Sequence, residues 1–337
     1  MLLSHKPAGG NGNTGTNMSE FGRSSTADEV LEGIDLSGRT VFITGATSGL
    51  GRETARAMAA KGAHVVLAAR DPESLDAAFS EITTLNPQAR VETMLCDLAA
   101  IASVRECGAQ AAERLGKIDI LINNAGVMAC PFMHTADGFE VQFGTNHLGH
   151  FALSAQLMEL VLKAADANGA ARIINLSSRG HHIAPADLED PNFEAKEYNE
   201  WLSYGQSKTA NVLFTVGLDA RFADQGVEAF AVHPGGIETN LGRHLSDEQN
   251  AALRQRIYSA DPDFTFKSVP QGAATQCWAA TAPALEGRGG LYCEDCHVAD
   301  VDDESPTSGV RSYALDKEAA DRLWSLSEEL TGVQFAA

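Results

Sequence analysis

A tyrosine and a lysine four residues apart, Tyr204 and Lys208, are the side chains of this sequence with the clearest potential for chemistry. Their spacing places both on one face of a helix. An unperturbed tyrosine has a pKa of about 10, too high for acid–base chemistry near neutral pH. Because a nearby ammonium group stabilises the phenolate, we expect Lys208 to lower the pKa of Tyr204. The same spacing arises by chance in many helices, so the pair alone does not define a site.

A glycine-rich segment at 44–51 is the second chemical feature, with glycines spaced as Gly-x-x-x-Gly-x-Gly. It follows the apolar run 40–43 and precedes a helix-like run at 52–61. Successive backbone N–H groups and the positive end of a helix dipole attract an anion at such a place. The strand–turn–helix context favours a dinucleotide site over an ordinary connecting loop.

The elements that would position these residues alternate along the chain. We predict strands at 40–44, 64–69, 91–96, 118–123, 172–176, 228–232 and 290–292, and helices near 50–61, 72–85, 100–115, 146–167, 204–224 and 247–257. Apolar runs that alternate with helices indicate an α/β protein with right-handed crossovers. The predicted fold is a three-layer, doubly wound Rossmann fold with seven mainly parallel strands in the order 3-2-1-4-5-6-7.

The residues that follow the predicted strands are mostly polar or glycine. Beyond the glycine turn they are Ala69-Arg70-Asp71, Asp97-Leu98, Asn123-Asn124-Ala125-Gly126, Ser177-Ser178 and His233-Pro234-Gly235-Gly236. Ligands of a doubly wound sheet bind beyond the carboxyl ends of its strands, so these residues line the expected groove. Ser178 can hydrogen-bond a substrate oxygen or simply cap its loop, and Asn146 can be a helix N-cap.

Together these motifs resemble the short-chain dehydrogenase/reductase family over residues 37–330. The matching residues are Thr44-Gly45-x-x-x-Gly49-x-Gly51, Asp97, Asn123-Asn124-Ala125-Gly126, Asn146, Ser178, Tyr204-x-x-x-Lys208 and Pro234-Gly235. The resemblance implies hydride transfer with a nicotinamide cofactor. It implies that Tyr204 is the general acid/base, and that Lys208 lowers its pKa and binds the nicotinamide ribose. It also implies that Ser178, rather than Ser177, bonds the substrate oxygen, and that Asn146 holds a relay water near Lys208.

The same resemblance implies the residues that hold the cofactor. They are Gly45, Thr47, Ser48, Gly49, Leu50, Gly51, Arg70, Asp97, Leu98, Asn124, Ala125, Gly126, Tyr204, Lys208, Pro234, Gly235, Ile237 and Thr239. Among them Asp97 resembles the adenine contact and Asn124 the residue that props the cleft open. Thr239 resembles the contact to the nicotinamide carboxamide.

The end of the second strand favours NADP(H) over NAD(H). Ala69 stands where an acidic residue that selects NAD would be expected, and Arg70 can bind the 2′-phosphate of NADP. Arg52 can add positive charge. Asp71 is the counter-argument, but as the residue before Pro72 it is expected to cap a helix.

The substrate is predicted to be bulky and apolar. Four features resemble the branch of this family that contains retinol dehydrogenases and light-dependent protochlorophyllide reductase. They are residues 68–71, 142–151 and 323–330, and the long interval between Ser178 and Tyr204. The pocket is expected from 127–133, 179–201 and a lid at about 237–275, with walls from Met128, Phe132, Phe193, Trp201 and Tyr258. Each of these aromatic residues can equally pack in the core. His181 and His182 can line the pocket or face solvent.

Three functions stay open at this point. The first is interconversion of a bulky hydrophobic alcohol and its aldehyde or ketone. The second is reduction of a C=C bond, as in an enone, and the third is a redox sensor that binds the cofactor without turnover. An intact set of catalytic residues disfavours the sensor.

Composition limits the partners and the location. The net charge of −20, from 45 acidic and 25 basic residues, disfavours nucleic acid and anionic membranes. No apolar run is long enough to cross a bilayer, and the polar start offers no secretory signal, so we expect a cytoplasmic protein with six reduced cysteines. A single domain at 37–337 is expected after a flexible extension at 1–36. The sequence is compatible with a homodimer or a homotetramer.

The segment Cys293-Glu294-Asp295-Cys296-His297 matches the attachment signature for c-type haem. That role needs export, and a zinc site needs further ligands at suitable spacing. We therefore expect no metal, and a surface or half-buried loop after the last strand.

Overall fold

The computed structural model describes residues 20–335 and shows one sheet with helices on both faces. The strand order is β3-β2-β1-β4-β5-β6-β7-β8, and every neighbouring pair is parallel except β7 and β8. The strands are β1 Thr40–Thr44, β2 His64–Ala69, β3 Arg90–Leu95, β4 Ile120–Asn123, β5 Ala171–Leu176, β6 Val227–His233, β7 Leu291–Glu294 and β8 His297–Val298. The predicted fold class and strand order are confirmed, with a two-residue antiparallel strand added at the edge.

Ten α-helical segments lie in the described part of the chain. They are α1 Ala27–Val30, α2 Gly49–Ala60, α3 Pro72–Leu85, α4 Ile101–Arg114, α5 Val141–Phe143, α6 Gly149–Asn168, α7 Glu200–Phe222, α8 Asp247–Ala260, α9 Val269–Thr281 and α10 Lys317–Thr331. Local chemistry sets several of their ends. Asp71 caps α3 by accepting from the Ser74 backbone N–H at 3.0 Å, and Gly169, in the left-handed region with φ 85°, ends α6.

The central strands are buried on both faces, as their continuous apolar sequences predict. In β1, Phe42 belongs to the core under α4, α6 and α7, whereas Val41 and Ile43 belong to the core on the opposite face. Trp324 of α10 closes the first core, and Met58 of α2 packs in the second. Both cores hold the carboxyl ends of the strands in place.

The structure differs from the expected N-terminal extension where it describes that segment. Residues 1–19 lie outside the described residues, but 20–36 pack on the domain through buried Val30, Leu31 and Leu36. Arg56 of α2 also bonds the Asp28 carboxylate at 2.8 Å. The low average apolar content of this segment predicts no packing, but its few apolar residues are spaced so that they dock on the domain together.

The segment at about 237–275, predicted to form a lid, includes the start of a buried helix. Residues from Val269 onward form α9, which is capped by Ser268 and buried along most of its length. The exposed part of the segment contains α8, which has no buried residue. No helix of the described residues is both long and apolar enough to cross a membrane.

Candidate active site

The glycine turn between β1 and α2 forms a tight cradle at the carboxyl edge of the sheet. Gly45 takes φ 64°, and a Cβ on it would lie 2.9 Å from the Ala125 Cα. A Cβ on Gly51 would lie 2.4 Å from the Gly45 carbonyl oxygen. Only glycine fits at these two positions, because any side chain would strike backbone. Ser48, the N-cap residue of α2, does not use its side chain to cap the helix. The first backbone N–H groups of α2 are therefore arranged for an anion.

The turn after β4 is fastened to this cradle by its own polar groups. The Asn124 side-chain amide donates to the Thr44 carbonyl at 2.8 Å. The backbone N–H groups of Asn124 and Ala125 donate to the Thr44 hydroxyl at 2.9 and 3.0 Å. Asn124 therefore joins the β4 turn to the end of β1, and its role in holding the cleft open stays a prediction.

Asn146 lies in a five-residue π-helical turn, Gly144–Leu148, rather than at a helix N-cap. Its Oδ1 accepts from the Val127 N–H at 2.8 Å, and its Nδ2 donates to the Val127 carbonyl at 3.0 Å and the Ser207 hydroxyl at 2.9 Å. The Ser207 hydroxyl donates in turn to the Tyr204 carbonyl at 2.8 Å. The side chain of Asn146 thus joins the β4 turn to α7. The relay water stays a prediction.

Ser178 and Tyr204 meet at the end of β5. Ser178 begins a short 3-10 helix, its hydroxyl accepts from the Gly180 N–H at 2.9 Å, and it hydrogen-bonds Tyr204. A Cβ on Gly180 would lie 2.7 Å from the Tyr204 ring, so glycine allows the two side chains to approach. Ser177 instead donates to the Lys208 carbonyl at 2.9 Å and anchors α7.

Burial sets the protonation of the tyrosine–lysine pair. It raises the pKa of Tyr204 to about 12, with the Ser178 hydrogen bond opposing, and it lowers the pKa of Lys208 to about 8. The Lys208 ammonium lies 5.7 Å from the centre of the Tyr204 ring and donates to the Leu176 carbonyl at 3.0 Å. The expected lowering of the tyrosine pKa is therefore not seen, because desolvation of the phenolate is the larger effect. Tyr204 is protonated at neutral pH.

Lys208 and Asn146 also face the backbone of the β4 turn. A Cβ on Gly126 would lie 3.2 Å from the Asn146 Oδ1 and 3.6 Å from the Lys208 Nζ. Glycine at 126 therefore leaves a space open between these two polar atoms. That space lies beside the cradle formed by Gly45 and Gly51, and the residues present fit a nicotinamide dinucleotide.

The loop after β6 crosses above the glycine turn. Gly235 takes φ 97°, and a Cβ on it would lie 2.8 Å from the side chain of Lys267. A Cβ on Gly49 would lie 3.5 Å from the Thr239 side chain, and one on Gly272 would meet both Ile237 and Leu50. The structure therefore brings Ile237 and Thr239, in the segment that starts at Pro234, to the same end of the groove as Leu50 of α2. Thr47 lies in the same turn, half-buried.

The residues expected at the adenosine end lie after β2 and β3. The Asp97 carboxylate accepts from the Ala99 N–H at 3.0 Å, and Leu98 is buried. Arg70 is exposed, and it forms no ion pair with any residue of 20–335. Arg52 is paired with Glu81 at 3.0 Å. Arg70 is thus the arginine of this edge that is available to a phosphate.

The predicted pocket residues divide into separate groups. The rings of Phe132 and Phe193 lie 4.9 and 5.1 Å from the ring of Tyr198, whereas Tyr258 is exposed on α8, 6.4 Å from Phe264. Met128 and Trp201 are half-buried. Sequence reasoning missed Tyr198, whose hydroxyl donates to the Cys130 carbonyl at 2.8 Å. That bond fastens segment 127–133 to segment 179–201, and no local sequence signal indicates it.

The two histidines after Ser178 support the loop. His181 is fully buried and donates from Nδ1 to the Ser178 carbonyl at 2.8 Å, while its Nε2 accepts from the Arg311 N–H at 3.2 Å. His182 is half-buried and bonds the Gly309 carbonyl at 2.9 Å. His181 therefore neither faces solvent nor lines an open pocket; it holds the backbone of Ser178.

The Cys-x-x-Cys-His segment forms the β7–β8 hairpin rather than a loop after the last strand. Cys293 lies in β7 and Cys296 in the tight turn, and both are fully buried. All six cysteines are free, and no group of potential ligands within residues 20–335 is arranged to hold a metal ion. Burial raises the pKa of both thiols.

The architecture and the site belong to the Rossmann class of dinucleotide-binding proteins. A family model described as short chain dehydrogenase matches residues 39–250. The chain therefore belongs to the short-chain dehydrogenase/reductase family, as its motifs predicted.

Three similar proteins illustrate the match. The short-chain dehydrogenase TIC 32 B, chloroplastic, of Brassica napus is 39% identical over 321 residues, covering 93% of this chain and 94% of the relative. Retinol dehydrogenase 13 of Mus musculus is 40% identical over 301 residues, covering 89% and 85%. A crystal structure of an uncharacterized protein from Mycobacterium paratuberculosis has a TM-score of 0.67 at 34% identity, covering 90% and 97%. The chain is thus similar to an oxidoreductase of the retinol dehydrogenase branch.

Proposed function

We propose that the protein is an NADP(H)-dependent oxidoreductase that interconverts a bulky hydrophobic alcohol and its aldehyde or ketone. The observation that carries this proposal is the meeting of Ser178, Tyr204 and Lys208 beside the open backbone of Gly126. A proton donor, a hydroxyl and an ammonium group face one place at the edge that we propose for the dinucleotide. Similarity to retinol dehydrogenase 13 supports a bulky apolar substrate.

In this proposal, residues of the chain donate the proton that the reaction requires and stabilise the group that loses it. When bound, NADPH supplies a hydride to the carbonyl carbon. Tyr204 donates its Oη proton to the carbonyl oxygen, while the Ser178 hydroxyl orients that oxygen. The Lys208 ammonium stabilises the resulting phenolate, which is otherwise costly in a buried site. Because the phenol is protonated at neutral pH, the proposal favours reduction over oxidation.

The preference for NADP(H) rests on the residues after β2. Arg70 is exposed and unpaired among the described residues, and Ala69 brings no carboxylate. The Asp71 carboxylate accepts from the Ser74 N–H at 3.0 Å, so the acid nearest to Arg70 is engaged in capping α3. A 2′-phosphate therefore meets an exposed guanidinium that forms no ion pair within residues 20–335, although the ionised Asp71 carboxylate lies near it.

We also propose a cytoplasmic location, since none of the six cysteines is paired in a disulfide. A homodimer or homotetramer stays a prediction.

The test is NADPH oxidation with a panel of bulky ketones and aldehydes, comparing wild type with Tyr204→Phe. Tyr292→Phe is the matched control, because the buried Tyr292 hydroxyl has no hydrogen-bond partner among the described residues. We expect Tyr204→Phe to bind NADPH but to lose turnover, and Tyr292→Phe to retain both. Turnover that persists in Tyr204→Phe would refute the assignment of the acid.

A further inference from the structure

His150 is a buried histidine of α6 that the proposed reaction does not use. It is 1% exposed, and its two ring nitrogens point to different parts of the site. Nδ1 lies 2.9 Å from the Asn146 carbonyl oxygen, and Nε2 lies 2.9 Å from the Thr44 hydroxyl oxygen. One contact is thus with the catalytic half of the site, and the other with the cofactor cradle.

The hydrogen-bond partners determine where the imidazole proton lies. A carbonyl oxygen has no proton to give, so Nδ1 must donate to Asn146. Burial lowers the pKa of His150 to about 4, so the ring is neutral and Nε2 is an acceptor. The Thr44 hydroxyl accepts from the backbone N–H groups of Asn124 and Ala125, and its own proton goes to Nε2 at 2.9 Å rather than to the more distant Ile122 carbonyl at 3.4 Å. Every donor and acceptor of the network has one consistent role.

The network continues to the backbone of Tyr204 in α7. Asn146 donates from Nδ2 to the Ser207 hydroxyl at 2.9 Å, and Ser207 donates to the Tyr204 carbonyl at 2.8 Å. A chain of buried hydrogen bonds therefore runs from Thr44, at the end of β1, through His150 and Asn146 to α7. The π-helical turn Gly144–Leu148 sits in the middle of this chain, and such turns are common at functional sites.

We propose that His150 is a positioning residue that fixes the cofactor cradle and the Asn146 turn relative to each other through its two ring nitrogens. The proposal rests on the proposed function, because it assigns a role within the same site. The two ring nitrogens of His150 each bond a different half of the site, so its two contacts should affect different measured quantities. Loss of the Thr44 contact should weaken cofactor binding, and loss of the Asn146 contact should slow turnover.

Two amide substitutions separate these contacts. The amide of His150→Asn can replace Nδ1 as donor to Asn146 but cannot reach Thr44, whereas the amide of His150→Gln can replace Nε2 as acceptor from Thr44. We expect His150→Asn to raise the Kd of NADPH about tenfold and to keep kcat within about threefold. We expect His150→Gln to show the reverse, with kcat lowered about tenfold and Kd within about threefold.

His147→Asn is the matched control, since His147 is fully buried in the neighbouring π-helical turn but bonds the Ser327 hydroxyl at 2.8 Å. It should lower thermal stability without separating Kd from kcat. The proposal would be overturned if His150→Asn and His150→Gln changed Kd by the same factor and kcat by the same factor, as the control does. Opposite effects of the two substitutions would support it.

A measurement on the unaltered protein covers the case in which the variants do not fold. Nitrogen-15 NMR of histidine-labelled protein should show His150 as the neutral tautomer with its proton on Nδ1. A proton on Nε2 would contradict the network. Because NADPH affinity and the tautomer need no substrate, they separate failure of this inference from failure of the proposed function. If only the proposed function fails, His150→Asn should still bind NADPH more weakly than His150→Gln does, although no variant reduces a carbonyl.

Discussion

Replacing the buried ammonium of Lys208 by an apolar group should stabilise the fold while it abolishes catalysis. Lys208 is 4% exposed, and burial lowers its pKa from 10.5 to about 8. At about 1.4 kcal/mol per pKa unit, keeping this charge costs the folded state about 3 kcal/mol at pH 7. Met has a similar length and suits a helix, so Lys208→Met removes the charge without leaving a large cavity.

The lost hydrogen bond offsets only part of this gain. The Lys208 ammonium donates to the Leu176 carbonyl at 3.0 Å, but that carbonyl also accepts from the Asn211 amide at 2.9 Å. The carbonyl keeps a partner, and the lost bond costs about 1 kcal/mol. The net expectation is a gain of about 2 kcal/mol in the free energy of unfolding at pH 7. Reductase activity should fall by about 100-fold or more.

The dependence on pH distinguishes this cause from better packing. The folded pKa is depressed, so the penalty is fully present below pH 8 and disappears as the pH rises to about 10.5. Denaturant unfolding without added cofactor should therefore show the two proteins converging between pH 8 and pH 10. Lys163→Met, at an exposed lysine of α6, is the control and should show no such convergence. A Lys208→Met protein that is less stable at pH 7, or a gain that does not change with pH, would refute the reasoning.

Three further predictions follow from the site. Arg70→Ala should raise the Kd of NADPH by about 10- to 100-fold and leave that of NADH nearly unchanged, as measured by cofactor fluorescence, with Arg52→Ala as the control. Equal loss for both cofactors would contradict the phosphate role. Tyr198→Phe removes the hydroxyl that donates to the Cys130 carbonyl at 2.8 Å and accepts from the Gln142 amide at 2.9 Å, so it should raise KM for bulky ketones and lower the free energy of unfolding by about 1 to 2 kcal/mol; unchanged KM and stability would remove Tyr198 from the pocket. The reductive kcat should fall as the pH rises through about 8, because Lys208 then loses its proton, and a flat pH–rate profile up to pH 9.5 would be inconsistent with that role.

The fold was predictable because its signals are local. Strands such as β1 and β2 are continuous apolar runs, which a parallel sheet covered on both faces requires. The glycines at 45 and 51 are dictated by backbone contacts within one turn. The Asp71 cap of α3 follows from the residue before Pro72.

The remaining features depend on tertiary contacts that local patterns do not encode. Residues 20–36 dock through a few apolar side chains, of which Leu31 is fully buried, within a segment of low average apolar content. The π-helical turn around Asn146 inserts a residue into a helix without changing its composition. The pKa of Tyr204 rises because the folded protein removes water from the phenol, whereas sequence spacing shows only that Lys208 is near.

The most direct test of the account is the destination of the hydride on a bulky α,β-unsaturated ketone. The enzyme would be given NADPH deuterated at the transferable position, and the products would be analysed by mass spectrometry and NMR. The account predicts an allylic alcohol with deuterium on the carbinol carbon, formed by wild type and not by Tyr204→Phe. A saturated ketone with deuterium on the β-carbon would show C=C reduction and contradict carbonyl reduction. NADPH binding with no product from any carbonyl of the panel would contradict enzymatic turnover altogether.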